Sequence, residues 1–430
     1  MKFAFYTLGC KVNQYETQAM EQRLTALGHT LGDWTEPCDG FIVNTCTVTA
    51  VSDKKCRNII RRVRKNNPDA VVGVCGCYAQ TKPEEVQALE VDVLAGTADR
   101  MAFLDAVVEE ATQRIRQSRQ FWEKATAHRE FERLPAGGLA ARTRAMLKVQ
   151  DGCCNYCSYC IIPYARGPIR SLPLSEAVEQ AKALAAEGYR ELVVTGIEIS
   201  SWGVDFKDGS SLKDLLSALC AAVPSMRVRL GSLEPRTITE DFCKMLAPYG
   251  NLCPQFHLSL QSGCDTVLKR MNRKYDTARY LASVNLLRQY FPHCAITTDL
   301  IVAFPGETEA EFQTSLDFLK TCAFAQVHVF PYSRREGTPA AKMDGQHSND
   351  EKARRSNEAG AVADALAQQY RQAMVGRTYA VLFEQPEGRD FTGHAENYVK
   401  VYVEAQALHN QVLPVEIVSV EADGVRGRLV

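Results

Sequence analysis

The sequence lacks three features that would assign it to a special class. No uninterrupted apolar stretch approaches the roughly 18 residues of a membrane-spanning helix, so we expect no membrane partner. The start has a short apolar run but no small-residue cleavage site, which argues against secretion. Because 50 basic residues nearly balance 51 acidic ones, no overall charge attracts nucleic acid, and any such contact must come from local basic patches.

Cysteine, by contrast, is abundant: the 430 residues include 16. Without a secretion signal we expect a reducing, cytoplasmic setting, in which thiols bind metals rather than form disulfides. A chain of this length is too long for one ordinary core, so we expect two or three domains.

Three of the cysteines lie in one short segment. Cys153, Cys157 and Cys160 have the spacing Cys-x3-Cys-x2-Cys, with Cys154 interpreted as a bystander. A [4Fe–4S] cluster normally takes four cysteines, so three thiolates leave one iron open to a substrate or cofactor, as in a catalytic zinc site. Radical-SAM enzymes bind S-adenosylmethionine through such an iron. Zinc with a distant fourth ligand is the alternative, although the second Cys-x2-Cys pair of a zinc ribbon is missing.

The first part of the chain alternates strands and helices, which predicts an α/β fold with a parallel sheet. Strands are predicted at 2–8, 41–45, 70–74 and 91–95, and helices at 14–27, 52–65 and 102–111. The charged stretch 114–144 is interpreted as a linker.

Three more cysteines follow successive strands of this first part: Cys10, Cys46 and Cys77. Because parallel strands end along the same edge of a sheet, where α/β proteins bind ligands, the three thiols should converge. A second cluster with three protein ligands is the functional interpretation. The alternative is that small thiols simply pack at strand ends.

Strand and helix patterns recur about six times beyond residue 144, which suits a partial (βα)6 TIM-like barrel with its chemistry at the C-terminal strand ends. Strands are predicted at 145–150, 191–195, 227–231, 256–260, 295–302 and 326–330, and helices at 174–187, 212–222, 238–246, 277–289 and 309–321. A helix at 349–373 follows, and the β-rich tail 375–430 suggests a small OB-like barrel.

With these three blocks in place, the chain resembles the methylthiotransferase family of radical-SAM enzymes along nearly its whole length. The motifs are TLGCKVNQYE (7–16), NTCTVT (44–49), GCYAQ (76–80), CSYCIIPYARG (157–167), HLSLQSGC (257–264) and FPGET (304–308). The resemblance implies a methylthiotransferase domain at 1–115, a radical-SAM core at 139–370 and a TRAM domain at 373–430. The stretch KVNQYE is most similar to the group that acts on threonylcarbamoyladenosine in tRNA.

What the resemblance implies about chemistry is specific. Two [4Fe–4S] clusters and two molecules of S-adenosylmethionine would insert a methylthio group at C2 of N6-threonylcarbamoyladenosine, adjacent to the anticodon. Cys153, Cys157 and Cys160 would bind the cluster that cleaves S-adenosylmethionine, and Cys10, Cys46 and Cys77 the cluster that carries sulfur. No nucleophilic Ser/His/Asp arrangement is expected, since radicals break the bond.

Six further residues are candidate contacts of S-adenosylmethionine: Tyr159, Gly196, Glu198, Glu234, Ser259 and Gln261. Glu198 departs from the family pattern, which has histidine or asparagine there. Ser259 and Gln261 should share one face of the fourth barrel strand by the period of two. The alternatives are ordinary loop packing for Tyr159 and a solvated loop carboxylate for Glu198.

The expected partners are a tRNA anticodon stem-loop and an electron donor of the flavodoxin or ferredoxin type. Candidate RNA contacts are the basic residues of helix 52–65, the group Lys269, Arg270, Arg273 and Lys274, and, in the tail, Arg377, Tyr379, His394, Tyr398, Lys400 and Tyr402. The same chemistry on isopentenyladenosine tRNA or on a ribosomal-protein aspartate remains open, as does a non-catalytic, zinc-stabilised RNA-binding protein.

Overall fold

The computed structural model describes residues 1–137 and 143–430, so the domain boundary expected at residue 139 lies outside the described residues. Within them the chain forms three successive units: a parallel α/β sheet, a partial barrel and a small closed β-barrel. The predicted fold class is confirmed. None of the helices in the described ranges is both long enough and apolar enough to span a membrane.

The first unit is a six-stranded, fully parallel sheet of order β2-β1-β3-β4-β5-β6. Its strands are β1 Lys2–Thr7, β2 Thr30–Gly32, β3 Gly40–Thr45, β4 Val71–Gly76, β5 Val93–Ala95 and β6 Arg119–Phe121. Its helices are α1 Lys11–Ala26, α2 Ala50–Asn66, α3 Cys77–Thr81, α4 Pro83–Gln87 and α5 Arg100–Gln113. Every residue of β3 and β4 is buried, because helices cover both faces of a parallel sheet.

The segment interpreted as a linker is more ordered than its composition suggested. Its residues Arg119–Phe121 form β6, which pairs in parallel with β5 and so extends the first sheet. Phe131 and Leu134 are buried, and the carbonyl of Leu134 accepts a hydrogen bond of 2.9 Å from the hydroxyl of Tyr15. Because charged residues dominate this segment, its sequence did not indicate the short strand β6 or the two buried apolar side chains of Phe131 and Leu134.

The second unit consists of two four-stranded sheets, of order β10-β9-β7-β8 and β11-β12-β13-β14, and only Gly231 separates β10 from β11 along the chain. The strands are β7 Arg144–Asp151, β8 Arg170–Ser171, β9 Glu191–Gly196, β10 Arg227–Leu230, β11 Ser232–Leu233, β12 Gln255–Leu258, β13 Ala295–Val302 and β14 Gln326–Pro331. The helices are α6 Ile162–Arg166, α7 Leu174–Ala186, α8 Leu212–Ala222, α9 Glu240–Leu246, α10 Asp265–Arg270, α11 Thr277–Tyr290, α12 Glu309–Cys322 and α13 Asn349–Gln372. Only β8 runs antiparallel to its neighbour, so the six predicted barrel strands are all present and parallel.

The third unit is a closed five-stranded barrel of order β15-β16-β17-β19-β18. Its strands are β15 Thr378–Glu387, β16 Asp390–Ala395, β17 Lys400–Glu404, β18 Val412–Val420 and β19 Val425–Leu429. Alternating apolar side chains fill its interior, among them Val381, Phe383 and Val401. The tail is therefore the small barrel that its pattern predicted.

Candidate active site

The first cysteine trio lies at the ends of three neighbouring strands. Cys10 precedes α1 just beyond β1, Cys46 follows β3 directly, and Cys77 begins α3 immediately after β4. The register pairs Thr45 with Gly76, which sets Cys46 and Cys77 side by side. A Cβ atom added to Gly9 would lie only 3.2 Å from Cys46 Sγ, so the loop that carries Cys10 runs against Cys46. The strand-end trio, defined as Cys10, Cys46 and Cys77, thus converges as predicted from topology.

Burial and charge act in opposite directions on this trio. Burial raises the pKa of Cys46, and it raises the pKa of Cys77 to about 12. The Nε of Arg166 donates to Cys77 Sγ at 3.2 Å, an arrangement that stabilises a thiolate. Cys10 is exposed, so the trio is open on one side.

The second group of cysteines lies in the connection after β7. It is called the loop trio and consists of Cys153, Cys157 and Cys160. The amide of Cys153 donates to Gly167 O at 3.0 Å, which folds the loop back on the following turn. Gly152 has a φ of +77°, and a Cβ there would lie 1.8 Å from the carbonyl oxygen of Pro168, so only glycine fits. The loop therefore depends on the Gly152 before it as well as on its cysteines.

The loop trio has a charge environment similar to that of the strand-end trio. Burial raises the pKa of Cys153 and of Cys160 to about 12. The Nη1 of Arg273 donates to Cys157 Sγ at 3.1 Å. Cys154 is exposed, in keeping with its interpretation as a bystander.

The donor set of each trio fits an iron–sulfur cluster. Each offers three thiols and one arginine that donates to a sulfur, and hydrogen bonds to cluster sulfurs are one way in which proteins tune such groups. In the part of the chain that the structure describes, no group of three or more His, Cys, Asp and Glu side chains is arranged to hold a lone metal ion. A cluster is held differently, because each thiolate binds a separate iron.

A buried network of charges joins the two trios. Its centre is Glu16 on α1, whose carboxylate contacts Arg100 of the first unit at 2.7 Å. The same carboxylate contacts Lys148 of β7 at 3.1 Å and Arg166 of α6 at 2.5 Å. The network is fully buried, and Arg166 is the residue that also donates to Cys77. Arg166, which follows the loop trio in the chain, thereby contacts the strand-end trio through Cys77.

The network keeps its charges because they compensate one another. Burial alone would raise the pKa of Glu16, but the positive charges of Arg100, Arg166 and Lys148 outweigh it and lower the pKa to about 2. Similarly, Lys148 and Arg166 hold the pKa of Asp151 far below its usual range despite burial. Removal of one partner from such a group typically costs about 3–5 kcal/mol, because an uncompensated charge stays buried.

A cavity of about 290 Å³ lies beside Cys160 of the loop trio, between the second unit and the segment that follows Cys46. Val48 and Thr49, which follow Cys46, line the cavity from the first unit. Cys160 of the loop trio and its neighbour Tyr159 line it from the second unit. The lining also includes Gln261 and, from the barrel strands, Asp299, Ile301 and Phe330. The cavity is mostly apolar with few polar groups, as small-molecule sites usually are.

Several of the predicted contact residues lie beside the loop trio. The amide of Glu198 donates to Gln150 Oε1 at 2.8 Å, and the negative charge of Glu198 acts on Cys153. Burial and the nearby carboxylate of Glu234 raise the pKa of Glu198. Gly196 ends β9 opposite Gln150, with no room for a Cβ next to the carbonyl of Gln150. Gly196, Glu198 and Glu234 are therefore brought together.

The expectation that Ser259 and Gln261 share one strand face was wrong. Strand β12 ends at Leu258, and Gln261 has a φ of +71°, so the period of two no longer applies. Gln261 lines the cavity, whereas the carbonyl of Ser259 accepts hydrogen bonds from Tyr275 and Arg273. Ser259 thus contacts the arginine that supports Cys157.

The basic residues divide into bound and free ones. On α2, Arg64 contacts Asp92 and Arg57 contacts Glu85. Five exposed cations of this helix form no ion pair within the described ranges, although Arg62 lies over the ring of Trp34: Lys54, Lys55, Arg61, Arg62 and Lys65. Near the barrel mouth, Arg270 pairs with Glu311 and Arg273 is engaged with Cys157. Helix α2 therefore presents the larger free basic surface.

The tail candidates are not all on the surface. Tyr379 is buried in the small barrel, and Lys400 pairs with Glu387 and Asp423. His394 and Tyr398 stack on each other with ring centroids 4.8 Å apart and line a cavity between the units. Sequence reasoning could not separate these inward side chains from exposed ones.

Sequence reasoning also missed the residues that connect the units. Glu16 and Arg166 lie within the quoted motifs but had no separate role assigned to them. Arg335 extends across the interface to Asp53 at 2.7 Å, and the hydroxyl of Ser333 accepts from the amide of Ala50 at 3.0 Å. The charged residues Glu16 and Arg166, which lie inside cysteine-bearing motifs, were the only sequence feature quoted that could have indicated these contacts.

Comparisons with known proteins identify the family of this chain. The family model of the radical SAM superfamily matches residues 147–319, and that of the uncharacterized protein family UPF0004 matches residues 2–96. The threonylcarbamoyladenosine tRNA methylthiotransferase MtaB of Bacillus subtilis (strain 168) is 41% identical over 93% of this chain and 89% of its own length. The protein of the same name from Thermotoga maritima is 36% identical over 92% of this chain and 89% of its own.

A sister group also matches. The tRNA-2-methylthio-N(6)-dimethylallyladenosine synthase of Acidothermus cellulolyticus is 36% identical over 89% of this chain and 77% of its own. Among solved structures, the radical S-adenosylmethionine methyltransferase TsrM from Kitasatospora setae superposes with a TM-score of 0.59 at 15% identity, covering 85% of this chain and 89% of its own, which shows a shared fold alone. The chain belongs to the radical-SAM tRNA methylthiotransferase family, whose members use S-adenosylmethionine and [4Fe–4S] clusters.

Proposed function

We propose that this enzyme converts N6-threonylcarbamoyladenosine, next to the anticodon of a tRNA, into its 2-methylthio form in the cytoplasm. The observation that carries the proposal is the presence of two groups of three cysteines, with a cavity lined by Cys160 of one group and by Val48 and Thr49, which follow Cys46 of the other. The relatives of this chain include MtaB enzymes named for this substrate. One trio would suffice to cleave S-adenosylmethionine, whereas insertion of sulfur needs a second sulfur-bearing group.

In this proposal Cys153, Cys157 and Cys160 hold one [4Fe–4S] cluster, and Cys10, Cys46 and Cys77 hold the other. When bound, the first cluster with S-adenosylmethionine supplies a radical for hydrogen abstraction, and the second supplies sulfur. The protein's own part is to fix the two trios on either side of the target carbon. Arg166, which contacts both Glu16 and Cys77, performs this positioning.

The candidate contacts of S-adenosylmethionine divide between its two ends. Tyr159 and Gln261, which line the cavity, would bind the adenosine part. Gly196, Glu198 and Glu234 would bind the methionine part, since a cationic amino group would compensate the carboxylate of Glu198, which has no ion-pair partner in the described residues, whereas Glu234 pairs with Arg236. Ser259 would act indirectly, through the hydrogen bond of its carbonyl with Arg273.

The RNA partner would be an anticodon stem-loop, docked on the free cations of α2. Phosphate contacts of this kind position RNA without reading its sequence. Thr49, which caps α2 by accepting from the amide of Ser52 at 3.1 Å, also lines the cavity, so this basic helix begins at the active site. An electron donor of the flavodoxin or ferredoxin type would supply the reducing electron.

Mass spectrometry of tRNA nucleosides from cells that lack this protein tests the proposal. We expect loss of the 2-methylthio threonylcarbamoyl nucleoside, with the 2-methylthio isopentenyl nucleoside intact. The reverse pattern would assign the protein to the sister group, and no change in either nucleoside would exclude tRNA methylthiolation. Complementation with the wild-type gene and with a Cys153→Ala variant controls for indirect effects.

A further inference from the structure

The exposure of its lining residues divides the 290 Å³ cavity beside Cys160 into an inner part and a mouth. Gln261 is buried and Tyr159 is half-buried, so these two residues belong to the inner part. Val48 and Phe330 belong to the mouth, where 51% and 47% of their surfaces are exposed. Because they come from the first and the second unit, the mouth has an apolar side chain from each.

The sheet fixes the position of Phe330. It lies on β14, the last strand of the barrel, and the register pairs it with Ile301 of β13. Paired residues on neighbouring strands point to the same face of a sheet, and Ile301 also lines the cavity. The half-exposed ring of Phe330 is thus carried into the cavity by the C-terminal end of a barrel strand, where barrel enzymes place their chemistry.

A buried polar group close to Phe330 in the chain lacks a partner. Tyr332 lines the same cavity and is 3% exposed, yet its hydroxyl forms no hydrogen bond with any of the described residues. A buried hydroxyl without a partner is costly, so a ligand that offers hydrogen-bond acceptors would be stabilised here. The lining therefore suits an occupant with apolar faces and polar edges, as a nucleobase has.

Free cations flank the lining residues of both units. In the second unit, Arg334 directly follows the lining residue Ser333, is exposed, and forms no ion pair or hydrogen bond within the described ranges. In the first unit, the free cations Lys54 and Lys55 lie near the start of α2, which begins just after the lining residue Thr49. An apolar ring with unpaired cations near it is the combination that single-stranded nucleic acid binds.

The acidic side chains of this region do not cancel those cations. The carboxylates nearest to them along the chain or within the lining are already paired: Asp53 with Arg335 at 2.7 Å, Glu336 with Lys82 at 2.6 Å, and Asp299 with His257 at 3.3 Å. The unpaired charge at the mouth is therefore positive, which favours RNA over an acid-neutral protein partner as the occupant.

The two parts of the cavity suit two different adenines. Tyr159 and Gln261 of the inner part are the residues proposed above for the adenosine of S-adenosylmethionine. The mouth is then left for the base that reacts with it. A base must leave its stack to enter a pocket, and proteins hold such unstacked bases on aromatic side chains.

We propose that Phe330 is the platform on which the target adenine of the tRNA stacks when it enters the cavity, with Val48 on the side of the first unit. The inference rests on the proposed function and names the side chain that holds the base. Stacking uses the π face of the base and not its N6 substituent, so this platform serves the adenine whichever group the N6 atom carries.

A cycle of one change in the protein and one in the RNA tests the inference. The reconstituted holoenzyme is titrated into a labelled anticodon stem-loop that carries either threonylcarbamoyladenosine or an abasic site at the target position, and fluorescence anisotropy gives both affinities. We expect the wild type to prefer the intact RNA by roughly tenfold, the value of one stacked base, and Phe330→Ala to lose most of this preference. Phe330→Trp should retain it, because it retains a π face.

Leu27→Ala is the matched control, since Leu27 is exposed to a similar extent, 44%, and does not line the cavity. Equal iron and sulfide content in Phe330→Ala and wild type shows that the variant is folded and loaded. A wild type without the preference, or a preference left intact in Phe330→Ala, would overturn the inference.

Two other results have distinct meanings. Phe330→Ala that retains the RNA preference but weakens the binding of S-adenosylmethionine would place the ring against the cofactor and overturn the inference. A wild type that binds neither RNA would contradict the proposed function, and the inference with it.

Discussion

The loop trio and the strand-end trio each bring three thiols together. The first does so within one short segment, and the second does so from three distant segments. Cys153, Cys157 and Cys160 lie within eight residues, and their connection is fixed by a local turn at Gly152. Cys10, Cys46 and Cys77 come from three distant segments and meet only because β1, β3 and β4 are neighbours in a parallel sheet. Each trio nevertheless has one arginine that donates to a sulfur.

The strand-end trio therefore depends on tertiary structure in a way that the loop trio does not. The loop trio's geometry is local, but the strand-end trio requires an intact sheet and an intact contact with the barrel. The buried network around Glu16 provides that contact. We therefore expect mutations to separate the two trios.

The largest expected effect is on cleavage of S-adenosylmethionine. Cys153→Ala removes one of the three thiolates proposed to hold the first cluster, and we expect 5′-deoxyadenosine production by the reconstituted enzyme to fall to background. Cys154→Ala, at the neighbouring exposed cysteine, is the control and should retain full production. Equal loss in both variants would contradict the assignment of the loop ligands.

The next largest effect is on the contact between the units. Glu16→Gln leaves Arg100, Arg166 and Lys148 without their shared counter-charge, so we expect the free energy of unfolding to fall by about 3–5 kcal/mol. Urea unfolding followed by circular dichroism measures it. Glu84→Gln, at an exposed position of α4, should change it by less than about 0.5 kcal/mol. A loss of similar size in both variants would refute the role of the network.

A smaller, pH-dependent effect follows from the same carboxylate. Because the pKa of Glu16 is lowered from its ordinary 4.5 to about 2, its stabilisation is complete above pH 4.5 and is lost as the pH falls towards 2. The difference in unfolding free energy between wild type and Glu16→Gln should thus be constant from pH 8 to about 5.5 and shrink below 4.5. A difference that grows in acid would contradict the lowered pKa.

The sequence predicted the fold closely, because the parallel strands of the first two units are apolar runs separated by amphipathic helices. The strand predicted at 295–302 has the bounds observed for β13, and that at 191–195 differs from β9 by one residue. The convergence of Cys10, Cys46 and Cys77 also followed from strand order. Local pattern was sufficient wherever a side chain's position depended on its own strand or turn.

What the sequence did not reveal depends on contacts between units. Glu16 and Arg166 are 150 residues apart, and no local periodicity indicates that they share a hydrogen bond. The strand Arg119–Phe121 was missed because charge dominates its segment. Gln261 was assigned to the wrong geometry because its left-handed backbone follows from packing after the strand has ended.

The central claim is that the loop trio starts the reaction and the strand-end trio determines what is inserted. Its most direct test is a single reaction of Cys10→Ala with substrate RNA, in which 5′-deoxyadenosine and methylthiolated nucleoside are measured together. We predict that 5′-deoxyadenosine still forms while the methylthiolated nucleoside is absent. Full methylthiolation by Cys10→Ala would contradict the account.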